Sequence, residues 1–440
     1  MRLQRILAAV IVTALLLSGC ASLGFGKSEI LTPPKASGIR AEVQKLIETD
    51  AGGAYSLIYP TDGANKSGLF LHDVNNDGIE EAVALYATAD NTPRVLIAQQ
   101  HDDAFRLLGS ADIYSTDVSE LSFIDFDGNG REELLLGFSI GTRHAVLQTF
   151  LIADGVTTSN TEEGFVDYVT GDFDKDSSTD ILLMMTPESA STAKARLLSF
   201  SEKGFSEKSS CEIDPAVISY TGLRFDKLSG DLYGAAADGK LGEGEYTTQL
   251  IYYDSAAKLL VNPLYMNSNY KRTTRTSAVT CMDIDGDGAI NIPLSSLMDH
   301  TKDEDTSTVC NVARWNDYDP EQMGLSFKKD AVLCEKLNFM LLFGTDKLKT
   351  VTARYSADNA VTLYNISYKN SEPVLGKEQL TVYRYDKASY DSSLTAQAQL
   401  YETAEYTYTY ILSEDSGFSH DDIKDSFMLL SGDEKASSKK

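Results

Sequence analysis

The feature that most constrains the fold is an acidic pattern that returns four times. It reads D-x-[DN]-x-[DN]-G-x-x-[DE] and lies within "LHDVNNDGIEEAVALY" (71–86), "FIDFDGNGREELLLGF" (123–138), "TGDFDKDSSTDILLMM" (170–185) and "CMDIDGDGAINIPLSS" (281–296). Each copy runs into a short apolar stretch of strand length. Ser177 replaces the glycine in the third copy, and Asn291 replaces the closing acid in the fourth. The leading aspartates, Asp73, Asp125, Asp172 and Asp283, are 52, 47 and 111 residues apart. The last gap is about two periods, so a degenerate copy is expected near 223–239. A chain that repeats one small unit must bury each unit against its neighbours.

The spacing suits a calcium loop. Calcium takes six to eight oxygens in a flexible shell. Side chains at positions 1, 3 and 5 converge when the chain wraps a small centre, and glycine at position 6 permits the sharp turn. The carbonyl at position 7 and an acid at position 9 complete the shell. The candidate ligands are Asp73, Asn75, Asp77, Ile79 and Glu81; Asp125, Asp127, Asn129, Arg131 and Glu133; Asp172, Asp174, Asp176 and Asp180; and Asp283, Asp285, Asp287 and Ala289. An EF-hand closes instead with Glu at position 12 on a helix. Position 12 here is Ala84, Leu136, Leu183 or Leu294, and strand follows.

A period near 50 in a strand-rich chain reads as one blade of a β-propeller. Loop and period together resemble the FG-GAP/VCBS repeats of calcium-binding propellers, over roughly 53–318. The resemblance implies that each loop joins two strands of a blade. The expected fold is mainly β: a propeller of about five blades with calcium loops, then a small α+β domain at 319–431. The alternative is one propeller of about seven blades. In the second part, 337–343, 349–355, 360–368, 379–386 and 405–414 alternate as antiparallel strands. "SHDDIKDSFMLL" (419–430) reads as a helix, with Ser419 and Asp422 as a capping box.

The N-terminus carries two arginines and then an apolar run, Ile6–Leu17, too short to span a membrane as a mature helix. It ends in "LLSGC", which resembles the bacterial lipobox. This implies a signal peptide at 1–19 and a lipid on Cys20, and so a chain tethered to the outer face of the cell membrane. Residues 20–36 read as a tether, 37–52 as a helix on the propeller rim, 53–60 as a strand that closes the ring, and 432–440 as a disordered tail. The layout resembles surface lipoproteins of clostridia-like Gram-positive bacteria. Cys211, Cys281, Cys310 and Cys334 fit no zinc spacing, and three disulfide connectivities are open to them.

The net charge of −26 makes nucleic acid a poor partner. Among catalytic patterns only "GFSIG" (137–141) stands out, as G-x-S-x-G. A nucleophile elbow needs a helix after the serine, and the residues that follow read as strand. The five histidines form no metal spacing. Acids are too numerous for any pair to mark a glycosidase. The first functional reading is a lipid-anchored binding protein, stiffened by calcium, that faces a surface protein or glycan. The alternative is an extracytoplasmic hydrolase or lyase acting on polysaccharide or peptide.

Overall fold

The computed structural model describes residues 39–431, apart from 102–103, 141–143, 153–154, 190, 202–203, 267–272 and 392–396. The expected signal peptide, Cys20, the tether and the tail lie outside the described residues. The chain is mainly β. After helix α1 (Ile39–Asp50), a first sheet holds β1 (Tyr55–Leu57), β2 (Leu69–His72), β3 (Glu81–Thr88), β4 (Pro93–His101) and β5 (Ala104–Asp112). A second sheet has seven strands in chain order: β6 (Val118–Ile124), β7 (Glu133–Ile140), β8 (His144–Ile152), β9 (Val156–Gly171), β10 (Asp180–Met185), β11 (Ala193–Ser199) and β12 (Ser206–Ile213). It is two four-stranded meanders sharing β9, which pairs with β8 along its first part and with β10 along its last. The third sheet holds β13 (Ser219–Ser229), β14 (Leu232–Lys240), β15 (Tyr246–Asp254) and β16 (Leu259–Val261). The fourth holds β17 (Ile292–Leu297), β18 (Asn311–Asp319), β19 (Gly324–Cys334) and β20 (Phe339–Phe343), with β26 (Phe427–Leu429) on its edge. The fifth holds β21 (Val351–Ala357), β22 (Ala360–Lys369), β23 (Glu372–Asp386), β25 (Tyr406–Leu412) and β24 (Ala398–Glu402), in that order. Counted by meander, these are six successive units.

The units stack face to face because their central strands are apolar on both sides. A strand sends alternate side chains to opposite faces. Val83 and Leu85 of β3 pack with Leu134 and Leu136 of β7, joining units one and two. Leu135 packs the other way, with Ile181 and Leu183 of β10. Leu182 and Met184 meet Ala235 and Ala237 of β14, and Ala236 meets Ile292 of β17. Val332 and Cys334 of β19 meet Val361 and Leu363 of β22. Alanine and glycine set the spacing: a Cβ added at Gly171 would fall 2.3 Å from the Phe225 ring.

The two ends of the stack differ. Val43 and Ile47 of α1, both fully buried, cover Ala82, Ala84 and Tyr86 on the face of β3 turned away from unit two. The helix therefore lies on a sheet face rather than on a rim. At the other end, the face of unit six opposite Ala353 and Val361 carries Thr352, Arg354, Thr362 and Thr409, all buried. Arg354 is bound there by Glu304, whose carboxyl that hydrogen bond holds down at about 2. The apolar clusters of the described residues join units only to their sequence neighbours.

Several local expectations appear in the structure. All five strands anticipated after 337 are present, and the Ser419–Asp422 capping box starts helix α2 (His420–Ser426), but the helix expected over 419–430 stops there, because Phe427–Leu429 pair with β20 as β26. Two others need correction. The strand within 53–60 pairs with β3 of its own sheet, Tyr55 opposite Thr88, so it closes nothing. The boundary drawn at 318/319 falls at the end of β18, which pairs with β19 from Asn311↔Leu333 to Asp319↔Gly324. Register decides where a sheet ends, and the fourth sheet runs across that point. The four described cysteines are free thiols, and the register of β18 with β19 sets Cys310 opposite Cys334.

Candidate metal centres

The four acidic loops occupy one position in the architecture. Loop one joins β2 to β3, loop two β6 to β7, and loop three β9 to β10. Loop four precedes β17, and the first strand of its unit is reduced to the bridge Met282↔Asn291. The degenerate copy expected near 223–239 is the β13–β14 hairpin, where Ser229 pairs with Leu232 and the loop has shrunk to the turn at Gly230 and Asp231.

All four loops are wound the same way. The carboxylate at position 1 accepts the N–H of position 6: Asp73 from Gly78 (2.8 Å), Asp125 from Gly130 (2.8 Å), Asp172 from Ser177 (3.1 Å) and Asp283 from Gly288 (2.8 Å). Position 5 accepts the N–H of position 7 at 2.7–2.8 Å in every copy. Position 6 is left-handed throughout, with φ of 86°, 85°, 72° and 81° at Gly78, Gly130, Ser177 and Gly288. Position 4 is left-handed as well, at Asn76, Gly128, Lys175 and Gly286.

Position 9 has a role that motif matching misses. Glu81, Glu133, Asp180 and Asn291 are all buried. Each accepts the N–H of position 2, on Val74 (3.1 Å), Phe126 (3.1 Å), Phe173 (3.2 Å) and Ile284 (2.9 Å). Asn291 thus closes its loop as the acids close theirs. Neighbouring loops are also bonded to one another. The N–H of position 8 donates to the carbonyl of position 2 one unit earlier: Glu132 to Val74 (2.9 Å) and Thr179 to Phe126 (2.8 Å). Ile290 of loop four likewise donates to Lys227 of β13, 3.0 Å away. The loops form a row along one edge of the stack.

The acids are drawn close together. One oxygen from each of Asp125, Asp127 and Glu133 lies within 4.8 Å of the others, and the same holds for Asp172, Asp174 and Asp176 and for Asp283, Asp285 and Asp287. Burial pushes the Glu133 carboxyl up to about 7; the charges of Asp127 and Asp125 add to this and the Phe126 N–H opposes it. Burial raises Asp180 to about 6, and raises Glu81. Asp283 is lowered: burial pushes it up, but the N–H groups of Gly288, Gly286 and Asp285 outweigh that.

Lysines from other strands reach two loops. Lys208 of β12 pairs with Asp174 and lies 3.8 Å from Asp176 Oδ2. Lys328 of β19 lies 2.7 Å from Asp285 Oδ2, 3.5 Å from Asp287 Oδ2 and 3.4 Å from Asp317 Oδ2. The donor set of loops one and two, all oxygen with carboxylates and one amide, fits a hard cation such as calcium. Loops three and four offer the same oxygens with an ammonium already among them.

Other features serve structure or shape. Ser139 of "GFSIG" sits in β7 opposite Ala145 of β8, not on a strand-to-helix turn. Arg275 and Asp238, both fully buried, pair at 2.8 Å, and Asp238 accepts the Cys281 N–H at 2.8 Å. That pair anchors the chain just before loop four, where a first strand is lacking; nothing in the sequence marks it. A cleft of about 740 Å³ opens between units five and six, lined in part by Arg314, Asp330, Lys349, Asp299 and Tyr368. Its acids are engaged, Asp299 by the Tyr368 hydroxyl and Asp330 by Arg314 (3.3 Å).

No protein-family model matches the chain, and no curated protein matches it in sequence. Among solved structures it is similar to Saccharomyces cerevisiae Sqt1, at 9% identity over 78% of this chain and 98% of that one, with a TM-score of 0.30. It is similar to the Dos1 propeller at 9% identity over 80% of each chain, with a TM-score of 0.28. The rhamnogalacturonan lyase YesW gives 11% identity over 73% of this chain and 71% of that one, with a TM-score of 0.28. Likeness this slight fixes neither ring closure nor chemistry.

Proposed function

We propose that the chain is a lipid-anchored, extracytoplasmic binding protein whose propeller-like stack of units is stiffened by calcium. The observation that carries this reading is the set of four loops, wound alike, in units one, two, three and five. A catalytic metal would have no need to recur in four units. A structural ion gains from recurring, because each loop fixes the crossing between two strands. Cys20 carries the anchor in this reading, and the partner is a surface protein or glycan. The cleft between units five and six supports recognition over hydrolysis, since both of its carboxylates are held by donors.

An ion that binds only the folded state adds RT ln(1 + [L]/Kd), roughly 0.4–1.4 kcal/mol per site at millimolar calcium when Kd is about 10⁻⁴–10⁻³ M. The test is the melting temperature of chelator-stripped protein, with and without calcium. We expect a rise of several degrees, diminished in Asp125→Ala. A melting temperature indifferent to calcium refutes the reading. Cys20→Ser should release the chain from the membrane fraction; normal processing and retention of the variant would remove the anchor from the proposal.

A further inference from the structure

The four loops divide into two kinds. Loops one and two have an amide at position 3 or 5, Asn75 or Asn129. Loops three and four have aspartate at positions 1, 3 and 5, and each receives a lysine from a distant strand. Among the described residues, no lysine or arginine ion pair is made with the aspartates of loops one and two. The lysine therefore accompanies the additional aspartate, and the side-chain charge at these positions comes out equal in all four. Both lysines engage positions 3 and 5, the groups a central ion would share. Lys328 also binds Asp317 of β18, which in turn accepts the Asn291 Nδ2 of loop four at 2.7 Å. The ammonium is thus tied into the closure of the loop rather than lying across its surface.

We infer that loops three and four carry a lysine ammonium as their internal cation and do not take up calcium, which is confined to loops one and two. The inference rests on the proposed calcium reading for loops one and two only. An ammonium bound to the same oxygens stands about 4 Å from a would-be divalent ion, and that repulsion weakens binding by on the order of tenfold or more, even in a water-like dielectric. It also occupies lone pairs the ion needs. Units three and five then keep their loops closed when calcium is scarce, while units one and two depend on it.

The test counts calcium on full-length, chelator-stripped protein by equilibrium dialysis and follows affinity by titration calorimetry. The parent should bind one ion at each of loops one and two. Lys208→Met and Lys328→Met should each gain one further ion, and the double variant both. Lys208→Gln and Lys328→Gln provide a second pair should a methionine variant not fold, and the Lys→Arg variants should count as the parent. A parent that fills all four loops overturns the inference, as does a folded charge-removing variant that binds no more than the parent. Should the parent bind none while the methionine variants each bind one, the calcium reading of loops one and two fails and the lysine assignment stands.

Discussion

Glu133 gives the sharpest test of how these loops work. Its side chain is 5% exposed, accepts the Phe126 N–H at 3.1 Å, and lies beside Asp125 and Asp127. Without a cation its carboxyl is raised from an ordinary 4.5 to about 7, chiefly by burial. The folded chain then holds a proton that the unfolded chain releases between those values. Stability follows the difference in bound protons, so in chelator the Glu133 contribution is intact below about pH 4.5 and falls as pH rises through about 7. One pKa unit is about 1.4 kcal/mol, and discounting for solvent near the loop leaves a loss on the order of 2 kcal/mol. Glu133→Gln keeps an acceptor for Phe126 and removes the titration. Against the parent in chelator, it should be near neutral at about pH 5 and more stable by on the order of 2 kcal/mol at about pH 8, a few degrees in melting temperature. With saturating calcium the order should reverse, because the parent's carboxylate then gains an ion. Relative to Glu133→Gln, Glu133→Ala strands the Phe126 N–H and should cost about 1–3 kcal/mol at every pH. The assay is thermal denaturation followed by circular dichroism, with chelator and with calcium. A parent–Gln difference that ignores pH in chelator, or that does not reverse with calcium, would refute the reasoning.

Ser177 is held at φ 72°, where a side chain is strained, so Ser177→Gly should raise stability by about 1 kcal/mol in thermal melts; a loss would show that the hydroxyl matters more than the backbone. Arg275→Met leaves Asp238 buried without its partner and should cost about 3–5 kcal/mol by urea denaturation, with Asp238→Asn in the same background recovering part of it. A fragment of residues 320–431 lacks β17 and β18, leaving β19 without a pairing partner along one edge; its circular dichroism should be that of an unfolded or aggregated chain, and a soluble, cooperatively melting fragment would restore the boundary at 319.

What could be read from the sequence was whatever depends on near neighbours in the chain. The turn at position 6 is local and all four loops have it; the convergence of positions 1, 3 and 5 is local too, and the carboxylates of loops three and four show it. The Ser419 cap is local too. In the sequence Asn291 shows only as the replacement of a closing acid, a missing charge; its amide oxygen makes the closing bond that the acids make. Lys208 and Lys328 could not be anticipated, since strands β12 and β19 bring them to loops more than thirty residues away. The boundary at 319 failed for a related reason. Recurrence of a motif says where ion loops stop, whereas strand pairing says where a sheet stops, and the two differ in unit five.

The bond from position 8 of one loop to position 2 of the unit before it has a consequence for what the molecule can tolerate. Donor and acceptor are both main-chain groups, so the connection is indifferent to side-chain identity. It works like a rail along which units are threaded, with stability passed between nearest neighbours as in a one-dimensional array. Unit four has shed its acidic loop for a tight turn, yet Lys227 still offers the carbonyl that Ile290 uses. A unit can therefore lose its acidic loop and still offer the acceptor that the following unit uses. Damage to an interior coupling such as Thr179 to Phe126 loosens units on both sides, while damage at the helix-capped end loosens only one.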